Sequence, residues 1–443
     1  MSSPLHIAIL GGGFAGLSAA VSLVGRGARV TLIEARRALG GRAASFVDEP
    51  SGEVVDNGQH LFMTCYRDTR SFLETLGTSR HLRFQPRLHV DYLEPGGART
   101  RLRAAPLPSP WHLLAGMMTL RGLGVRDRAA LLAAGSSLRR LADPAACAAL
   151  ESLTVSAWLD HLGQTPALRR LLWHPLTIAT LNAAPSAAPA SLLACVVREA
   201  FLAGREASCL GLATVGLSEL YAEPARRWLE ARGARVTTGT PVARLRVEDG
   251  AVRAAVLRDG SEVAADAFVS AVPPAALGRL GISLPGLDRF GTSSILSINL
   301  WPDRPLRTLE TIDFAAVLDG RIQWIFNKGR ILGGESRHLA VVISAAAELE
   351  GRSGEELADM AWDDLRACVP EARTVRLRRR LVVRERAATF AATVETEPLR
   401  PGPRSPYANL VLAGDWTMRG MPATIETAVR SGHLAADRIA PAR

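Results

Sequence analysis

Lysine is almost absent from this chain of 443 residues: Lys328 is the only one, and arginine supplies nearly all of the positive charge. The formal net charge is +10. A basic surface favours anionic partners, either nucleic acids or membranes. The sequence shows no basic segment interleaved with aromatic residues and no nucleic-acid-binding module. We therefore expect no nucleic-acid partner and favour contact with a membrane surface.

Cysteines are also few. The chain has Cys65, Cys147, Cys195, Cys209 and Cys368, and no two of them have C-x-x-C spacing. An odd number of cysteines without such spacing argues against a disulfide framework and against a zinc site, so we expect no metal. A reducing cytoplasm is the compartment that fits free thiols.

Long apolar runs are missing too. No eighteen consecutive apolar residues are free of a charge or a glycine break, so the sequence predicts no transmembrane helix. The apolar stretch near the N-terminus lacks the basic region of a signal peptide and is expected to belong to the fold. Hydrophobic residues make up 48% and charged residues 22%, which is typical of a globular protein. The length predicts two domains or one elaborated domain.

The strongest motif lies at the N-terminus. Residues 5–10 predict a buried parallel strand that runs into the G-x-G-x-x-G pattern of residues 11–16, followed by a helix, a strand over 29–33 and then Glu34. Gly11 permits a tight turn, Gly13 lets a diphosphate approach the backbone, and Gly16 allows the helix to pack closely on the strand. Glu34 can accept hydrogen bonds from ribose hydroxyls. The predicted dinucleotide-binding residues here are Gly11, Gly13, Phe14, Ala15, Gly16, Glu34 and Ala35.

A second glycine element indicates which dinucleotide binds. Gly40, Gly41 and Arg42 follow Glu34 closely, and this arrangement resembles the second signature of the flavin amine oxidase and phytoene desaturase superfamily. The two glycines let the chain pass close to a cofactor, and the Arg42 guanidinium can bind a phosphate or another acceptor bidentately. Gly41 and Arg42 therefore join the predicted cofactor-binding residues.

The C-terminal segment favours FAD over NAD. Residues 409–413 predict a buried strand that ends in Gly414 and Asp415, and a final helix opens after Pro422. Asp415 can accept a hydrogen bond from a ribityl hydroxyl. The N–H groups from Ala423 to Ile425 can stabilise negative charge on the reduced flavin. The predicted cofactor-binding residues here are Gly414, Asp415, Pro422, Ala423, Thr424 and Ile425.

Three strings place the chain closer to one branch of the superfamily. DNGQH (56–60), LWHPL (172–176) and GDWTxxGxPATIE (414–426) resemble the hydroxysqualene dehydroxylases of hopanoid synthesis. This resemblance covers nearly the whole chain. It implies that the isoalloxazine ring lies beside Asn57, Gly58, Gln59 and His60, and that the backbone of Val242 touches the adenine. It also implies an apolar substrate wall that includes Trp173, Leu176 and Trp324.

The fold implied by the same resemblance is α/β: a glutathione-reductase-like Rossmann FAD-binding domain with an inserted α+β substrate domain. We assign residues 1–80, 215–280 and 405–443 to the discontinuous FAD-binding domain. Residues 81–214 and 281–404 are assigned to the substrate-binding domain. The assignment places three separate stretches of chain around one cofactor.

The resemblance implies reductive dehydroxylation of hydroxysqualene to squalene by an FAD-dependent oxidoreductase. Protonation of the allylic hydroxyl would release water, and a hydride would quench the cation. His60, Asp56 and Glu426 are the candidate acids, and the sequence leaves the choice open. Because no second G-x-G-x-x-G is present, we expect an external electron donor.

Other functions stay open at this point. A carotenoid desaturase of the phytoene type runs the hydride in the opposite direction. A flavin amine oxidase is less favoured, because Leu300 and Trp301 stand where those enzymes keep a lysine and only four tyrosines are available for an amine cage. The alternative that is not an enzyme is a flavin-binding scaffold protein without turnover.

Residues 105–121 predict a short apolar helix led by Trp111, with prolines before it and Arg121 at its end. Such a helix is too short to span a bilayer but suits its interface. An ordinary core helix is an equally good interpretation. With the interfacial interpretation, the expected location is cytoplasmic, peripheral to the inner face of the cytoplasmic membrane.

Overall fold

The computed structural model describes residues 4–334 and 336–440 and confirms the predicted mixed α/β class. Its strands are β1 (His6–Leu10), β2 (Arg29–Ile33), β3 (Ser45–Asp48), β4 (Glu53–Asp56), β5 (Phe62–Met63), β6 (Leu82–Phe84), β7 (His89–Leu93), β8 (Arg99–Arg103), β9 (Leu210–Ala213), β10 (Arg235–Thr237), β11 (Val242–Glu248), β12 (Ala251–Leu257), β13 (Glu262–Ala264), β14 (Ala267–Ser270), β15 (Thr292–Pro302), β16 (Phe314–Val317), β17 (Trp324–Asn327), β18 (Leu339–Ser344), β19 (Leu377–Phe390) and β20 (Leu410–Leu412).

The α-helices are α1 (Phe14–Gly25), α2 (Arg67–Thr75), α3 (Trp111–Met118), α4 (Val125–Arg140), α5 (Pro144–Ala148), α6 (Val155–His161), α7 (Pro166–Leu168), α8 (His174–Leu181), α9 (Ala190–Val196), α10 (Glu223–Glu230), α11 (Pro274–Arg279), α12 (Arg307–Glu310), α13 (Lys328–Leu332), α14 (Gly354–Cys368) and α15 (Ile425–Ile439). Within the described ranges no helix has both the length and the apolarity needed to cross a bilayer.

A five-stranded parallel sheet forms the first layer, in the order β10-β2-β1-β14-β20. The central strand β1 pairs with β2 on one side and with β14 on the other, so that Ile9 lies opposite Leu32 and Val269. These strands are apolar and buried, as expected for a parallel sheet covered on both faces. Helices α1 and α15 pack against each other and share a core cluster with this sheet.

The strands of this sheet come from the three segments assigned to the FAD-binding domain. Strands β1 and β2 lie in 1–80, β10 and β14 in 215–280, and β20 in 405–443. The exact division into domains stays a prediction, and residues 1–3 and 441–443 of it lie outside the described residues.

A seven-stranded sheet forms the second layer, in the order β19-β15-β18-β17-β16-β7-β8. All of its neighbouring pairs are antiparallel except β16 and β7. Along each strand, successive side chains point to opposite faces. One face, which includes Ile325, Val341 and Ile343, packs in a core cluster with helix α14. The opposite face is therefore free to line a cavity.

Two helical stretches of the sequence are interrupted in the fold. Within 145–162, α5 ends at Ala148 and α6 begins at Val155, where Thr154 caps α6 by accepting a hydrogen bond from Ala157 N at 3.2 Å. Within 217–232, the first turn is π-helical and α10 begins at Glu223.

Candidate flavin and substrate site

One large cavity, of about 1110 Å³, is lined by both sheets. A site for a single small ligand typically measures about 300–1,000 Å³. The glycine motifs and the C-terminal strand and helix line one part of it, and apolar side chains of the seven-stranded sheet and of α8 line another. Its size suits a dinucleotide together with a second molecule.

The first turn of α1 forms a cradle for a diphosphate. Gly11 has φ +102°, a left-handed conformation that favours glycine, and it lines the cavity with Gly13, Phe14 and Ala15. The N-cap of α1 is Gly13, which has no side chain to satisfy the first helical N–H groups. These groups and the helix dipole are therefore available to an anion.

Gly16 plays the packing role predicted for it and does not line the cavity. A Cβ atom on Gly16 would lie 1.9 Å from the carbonyl oxygen of Gly11, so only glycine lets α1 approach β1 this closely. Its contribution to cofactor binding is therefore indirect, because it fixes the position of the cradle.

Glu34 directly follows β2 and lines the cavity beside this cradle. One carboxylate oxygen accepts a hydrogen bond from Gly12 N at 2.7 Å and the other accepts from Arg36 N at 2.8 Å. Each oxygen has a second lone pair, so the carboxylate can still accept hydrogen bonds from ribose hydroxyls. Ala35 and Val242 also lie on this part of the wall, as predicted for the adenosine end.

The second glycine element and the C-terminal segment are joined by an ion pair. Arg42 donates to Asp415 Oδ1 at 2.7 Å and to the carbonyl oxygen of Ala388 at 3.2 Å. Burial disfavours the charged form of Arg42, but the nearby charges of Asp415 and, to a smaller extent, Glu385 together outweigh burial and raise the pKa of the guanidinium. Asn57 fixes this loop by donating to the carbonyl oxygen of Arg42 at 2.9 Å. Gly41, Arg42, Asn57, Gly414 and Asp415 all line the cavity.

Tyr221 contacts both glycine motifs and was not predicted from the sequence as a site residue. Its ring stacks on Phe14 with the centroids 3.5 Å apart, and its hydroxyl donates to the carbonyl oxygens of Gly40 (2.6 Å) and Ala43 (2.9 Å). Tyr221 therefore connects the first glycine motif with the second. No local pattern around Tyr221 signals this role, because the contact depends on packing between distant segments.

The DNGQH segment supplies polar groups that face the cavity. Asn57, Gly58, Gln59 and His60 all line it. Gln59 Nε2 and His60 Nε2 are buried and have no hydrogen-bond partner within the described part of the chain. Buried polar atoms normally have a partner, so these two fit a bound polar group. Burial lowers the pKa of His60, with Lys328 and Arg42 adding to the effect and Asp56 opposing it, so the imidazole is neutral at pH 7.

The N-terminus of α15 completes the flavin part of the wall. Ala423, Thr424 and Ile425 line the cavity, whereas Pro422 does not. Thr424 is the N-cap and accepts a hydrogen bond from Thr427 N at 3.3 Å. The remaining N–H groups of this helix end can stabilise negative charge.

A buried ion pair stabilises the loop that carries Asp415. This pair was not predicted from the sequence. Arg400 and Glu397 are fully buried, and Arg400 donates to Glu397 Oε2 at 2.8 Å. Arg400 also donates to the backbone carbonyl oxygens of Asp415 (2.6 Å), Trp416 (3.2 Å) and Met421 (2.7 Å). The loop before α15 is therefore held from behind by one guanidinium.

Two of the three candidate acids lie off the cavity wall. Asp56 is buried and accepts hydrogen bonds from Lys328 Nζ (2.7 Å), Ser45 Oγ (2.8 Å) and Leu217 N (3.0 Å). Glu426 caps α2, because its carboxylate accepts from Asp68 N (3.0 Å) and Thr69 N (2.9 Å), and burial raises its pKa. Among the three candidates, the cavity wall includes His60 alone.

Two of the three side chains predicted to contact the substrate lie on the cavity wall, and the substrate contact itself stays a prediction. Leu176 and Trp324 line the cavity, together with Leu172, Pro175, Phe326 and Val342. Trp173 points elsewhere: it is buried behind the wall, and its indole N–H donates to Gln164 Oε1 at 2.8 Å. One further acid lines the cavity and was not predicted from the sequence, Glu385 in β19.

Comparisons with known proteins agree with this site. The profile of the family described as flavin containing amine oxidoreductase matches residues 14–440. The hydroxysqualene dehydroxylase of Rhodopseudomonas palustris is 32% identical, and the alignment covers 99% of this chain and 99% of that protein. The 15-cis-phytoene desaturase of Solanum lycopersicum is 24% identical, with 99% of this chain and 78% of that protein covered.

Among solved structures, cyclohexylamine oxidase from Brevibacterium oxydans shares the fold. Its TM-score is 0.71 at 18% sequence identity, with 99% of each chain covered. The predicted family, the enzyme class and FAD are confirmed by these comparisons. The chain belongs to the flavin containing amine oxidoreductase family and is an FAD-dependent oxidoreductase, similar over its whole length to the hydroxysqualene dehydroxylases.

Proposed function

We propose that this enzyme removes the hydroxyl group of hydroxysqualene reductively and gives squalene and water. One observation carries the proposal: within a single cavity, an apolar wall continues from the surface that holds the FAD motifs. The higher identity to a hydroxysqualene dehydroxylase (32%) than to a phytoene desaturase (24%) supports the same choice of substrate.

The chemistry of the wall suits an isoprenoid chain. The side chains of Leu172, Leu176, Phe201 and Phe326 are apolar, and Trp324 adds a broad aromatic surface. Burial of a long hydrocarbon against such side chains is favourable by roughly 25 cal/mol per Å² of apolar surface removed from water. The same wall offers few hydrogen bonds to an amine or a sugar, which disfavours polar substrates.

Reductive dehydroxylation needs a hydride, a proton and a dry site. Reduced FAD supplies the hydride when bound. The α1 cradle, Glu34, the Arg42–Asp415 pair and the N-terminus of α15 would hold this cofactor. The apolar wall excludes water from the cation that forms when the hydroxyl leaves. His60 is suited to orient the hydroxyl by a hydrogen bond, and its neutral state makes it a poor proton source.

Electrons must reach the flavin from outside. The sequence contains one G-x-G-x-x-G pattern, used by the FAD motif, and lacks a second one for a resident nicotinamide. We propose an external reduced donor as the partner that restores FADH₂ after each turnover.

The first test is mass analysis of the lipid product. The purified holoenzyme is reduced anaerobically and incubated with hydroxysqualene, and squalene is the expected product, formed in a 1:1 ratio with flavin oxidised. A parallel incubation of the oxidised enzyme with phytoene tests the second candidate, a carotenoid desaturase, which the similarity to the tomato enzyme favours. Desaturated products from phytoene, with no squalene from hydroxysqualene, would replace the proposed function.

We further propose that the enzyme works at the cytoplasmic membrane surface. Trp111 at the start of α3 is 51% exposed and Leu107 is 41% exposed. Ser109, between them, donates to the carbonyl oxygen of Phe201, a residue of the cavity wall. Exposed apolar residues next to the substrate part of the cavity are suited to withdraw a lipid-soluble substrate from a bilayer.

Vesicle binding tests the membrane proposal. Sedimentation with vesicles of phosphatidylglycerol and phosphatidylcholine is expected to capture the holoenzyme, and phosphatidylcholine alone to capture less, because the chain is basic. The double variant Leu107→Ser, Trp111→Ser should lose this binding while its rate on detergent-solubilised substrate stays within about twofold of wild type. The matched control, Leu132→Ser on the exposed side of α4, should bind like wild type. Equal binding by all three proteins would refute this surface.

A further inference from the structure

Glu385 is an acid on the cavity wall that does not belong to the predicted FAD motifs. It lies in β19, and Ile295 of β15 is its partner across the sheet. Ser344 of β18 is the partner of Ile295 on the other side. Residues opposite each other on neighbouring strands point to the same face, and all three line the cavity. Glu385 is therefore presented by a sheet, which is a rigid support.

The Glu385 carboxyl lies next to the flavin motifs without being part of their ion pairs. Its one side-chain hydrogen bond among the described residues is long, 3.5 Å from Asn57 Nδ2 to Oε2. Arg42, the nearest arginine of these motifs, is occupied by Asp415 at 2.7 Å and by the carbonyl oxygen of Ala388. Glu385 Oε1 has no hydrogen-bond donor among the described residues, while Oε2 accepts from Asn57 and the carboxylate charge interacts with Arg42.

The other acids on the wall are committed. Glu34 is at the adenosine end and accepts from Gly12 N at 2.7 Å. Asp415 is bound to Arg42 and accepts from Trp416 N at 3.1 Å. Asp56 is off the wall and paired with Lys328. Within the described part of the chain, Glu385 is the wall carboxyl that is neither paired with a base nor placed at the adenosine end.

Resting on the proposed function, we propose that the Glu385 carboxyl donates the proton that converts the allylic hydroxyl of hydroxysqualene into leaving water. The proton moves from the carboxyl to the hydroxyl oxygen, the C–O bond breaks with its electron pair on oxygen, and water leaves an allylic cation. Reduced flavin provides the hydride that neutralises the cation, so two electrons pass from flavin to carbon. Glu385 regains a proton from solvent between turnovers. An isoprenoid that fills this part of the cavity excludes water from the reacting hydroxyl.

The test separates proton donation from a structural role by changing the leaving group. Glu385→Gln keeps the size and polarity of the side chain but cannot donate an acidic proton. With hydroxysqualene, its kcat is expected to fall by about 100-fold or more. With the acetate ester of hydroxysqualene, whose acetate leaves as an anion without protonation, Glu385→Gln should stay within about threefold of wild type. The ratio of the two rates within one protein cancels any difference in folding.

Three controls complete the experiment. The FAD content of Glu385→Gln, measured by flavin absorbance, and its binding of hydroxysqualene in the oxidised state, followed by tryptophan fluorescence, should match wild type. Glu385→Asp, which retains the acid, should recover part of the hydroxysqualene rate. Glu355→Gln, an exposed glutamate on α14, should behave like wild type.

Two results would overturn the inference. In the first, Glu385→Gln turns over hydroxysqualene at the wild-type rate. In the second, its turnover rates with hydroxysqualene and with the acetate ester fall by the same factor. Failure of the proposed function looks different, because the wild-type enzyme itself would then release no squalene from hydroxysqualene. The two ideas can therefore fail separately.

Discussion

Replacing the only lysine, Lys328, by Met is expected to destabilise the protein by about 3 kcal/mol. Its Nζ lies 2.7 Å from Asp56 Oδ2, and the two side chains are 4% and 6% exposed. Removing one partner of a buried ion pair costs about 3–5 kcal/mol, because the other charge is left buried and uncompensated. Asp56 keeps hydrogen bonds from Ser45 Oγ and Leu217 N, which places the cost at the lower end of this range.

Urea denaturation followed by tryptophan fluorescence measures the cost. The matched control is Arg380→Met: Arg380 pairs at 2.9 Å with Glu355, whose side chain is 73% exposed, and such a surface pair is worth less than about 1 kcal/mol. The double variant Lys328→Met, Asp56→Asn removes both charges and should recover at least half of the lost stability. A cost for Lys328→Met no larger than that for Arg380→Met would refute this reasoning.

The same double variant tests the catalytic role predicted for Asp56 from the sequence. Because neither Asp56 nor Lys328 lines the cavity, we expect its FAD content and its turnover of hydroxysqualene to stay within about threefold of wild type at a temperature where it is folded. Loss of turnover with FAD content unchanged would give Asp56 the role of the acid after all.

Three further predictions concern the cofactor site and the response to pH. Gly16→Ala should lower the free energy of unfolding by about 3 kcal/mol or more and abolish FAD retention during gel filtration, because its Cβ meets a backbone oxygen. The control is Gly25→Ala in the same helix, whose Cβ meets nothing closer than 4.0 Å. It should change the free energy of unfolding by less than about 1 kcal/mol. Arg400→Met should release FAD more readily, measured as flavin fluorescence in the filtrate, since it frees the loop that carries Asp415; retention equal to wild type would contradict this bracing role. Burial, reinforced by the ammonium charge of Lys328, lowers the pKa of His338 to about 3. Between pH 6.5 and 3 the unfolded chain therefore binds this proton and the folded protein does not. The free energy of unfolding falls as the pH is lowered through that window. His338→Gln should show a shallower loss in urea denaturation over the same range, and identical slopes would refute the assignment.

The sequence predicted the segments whose structure is determined locally. The strand over 29–33 has the predicted bounds, because it is an apolar run closed by a polar residue. The glycine turn at residues 11–16 was predictable for the same reason, since the left-handed φ of Gly11 and the close approach at Gly16 both require glycine.

The parts that failed depend on partners far away in the chain. Asp56 lies next to the cavity-lining Asn57 in sequence and was predicted as an acid, but its partner Lys328 is 272 positions away. Trp173 occurs in a substrate-like string, yet Gln164 holds its indole behind the wall. Glu385 was not predicted because it lies between Arg384 and Arg386 in an arginine-rich segment, as is typical of a solvated strand. Only the register of β19 on β15 places its carboxyl in the cavity.

The order in which the parallel sheet is assembled has a consequence for biosynthesis. Strand β14 receives its second neighbour only when β20 has been synthesised, and the Arg42–Asp415 contact spans 373 positions. A nascent chain that stops before residue 410 exposes an unpaired sheet edge and lacks a complete grip on the cofactor. Flavin binding therefore requires that the last helix has been synthesised. We expect prematurely terminated chains to bind no flavin and to be degraded by proteases.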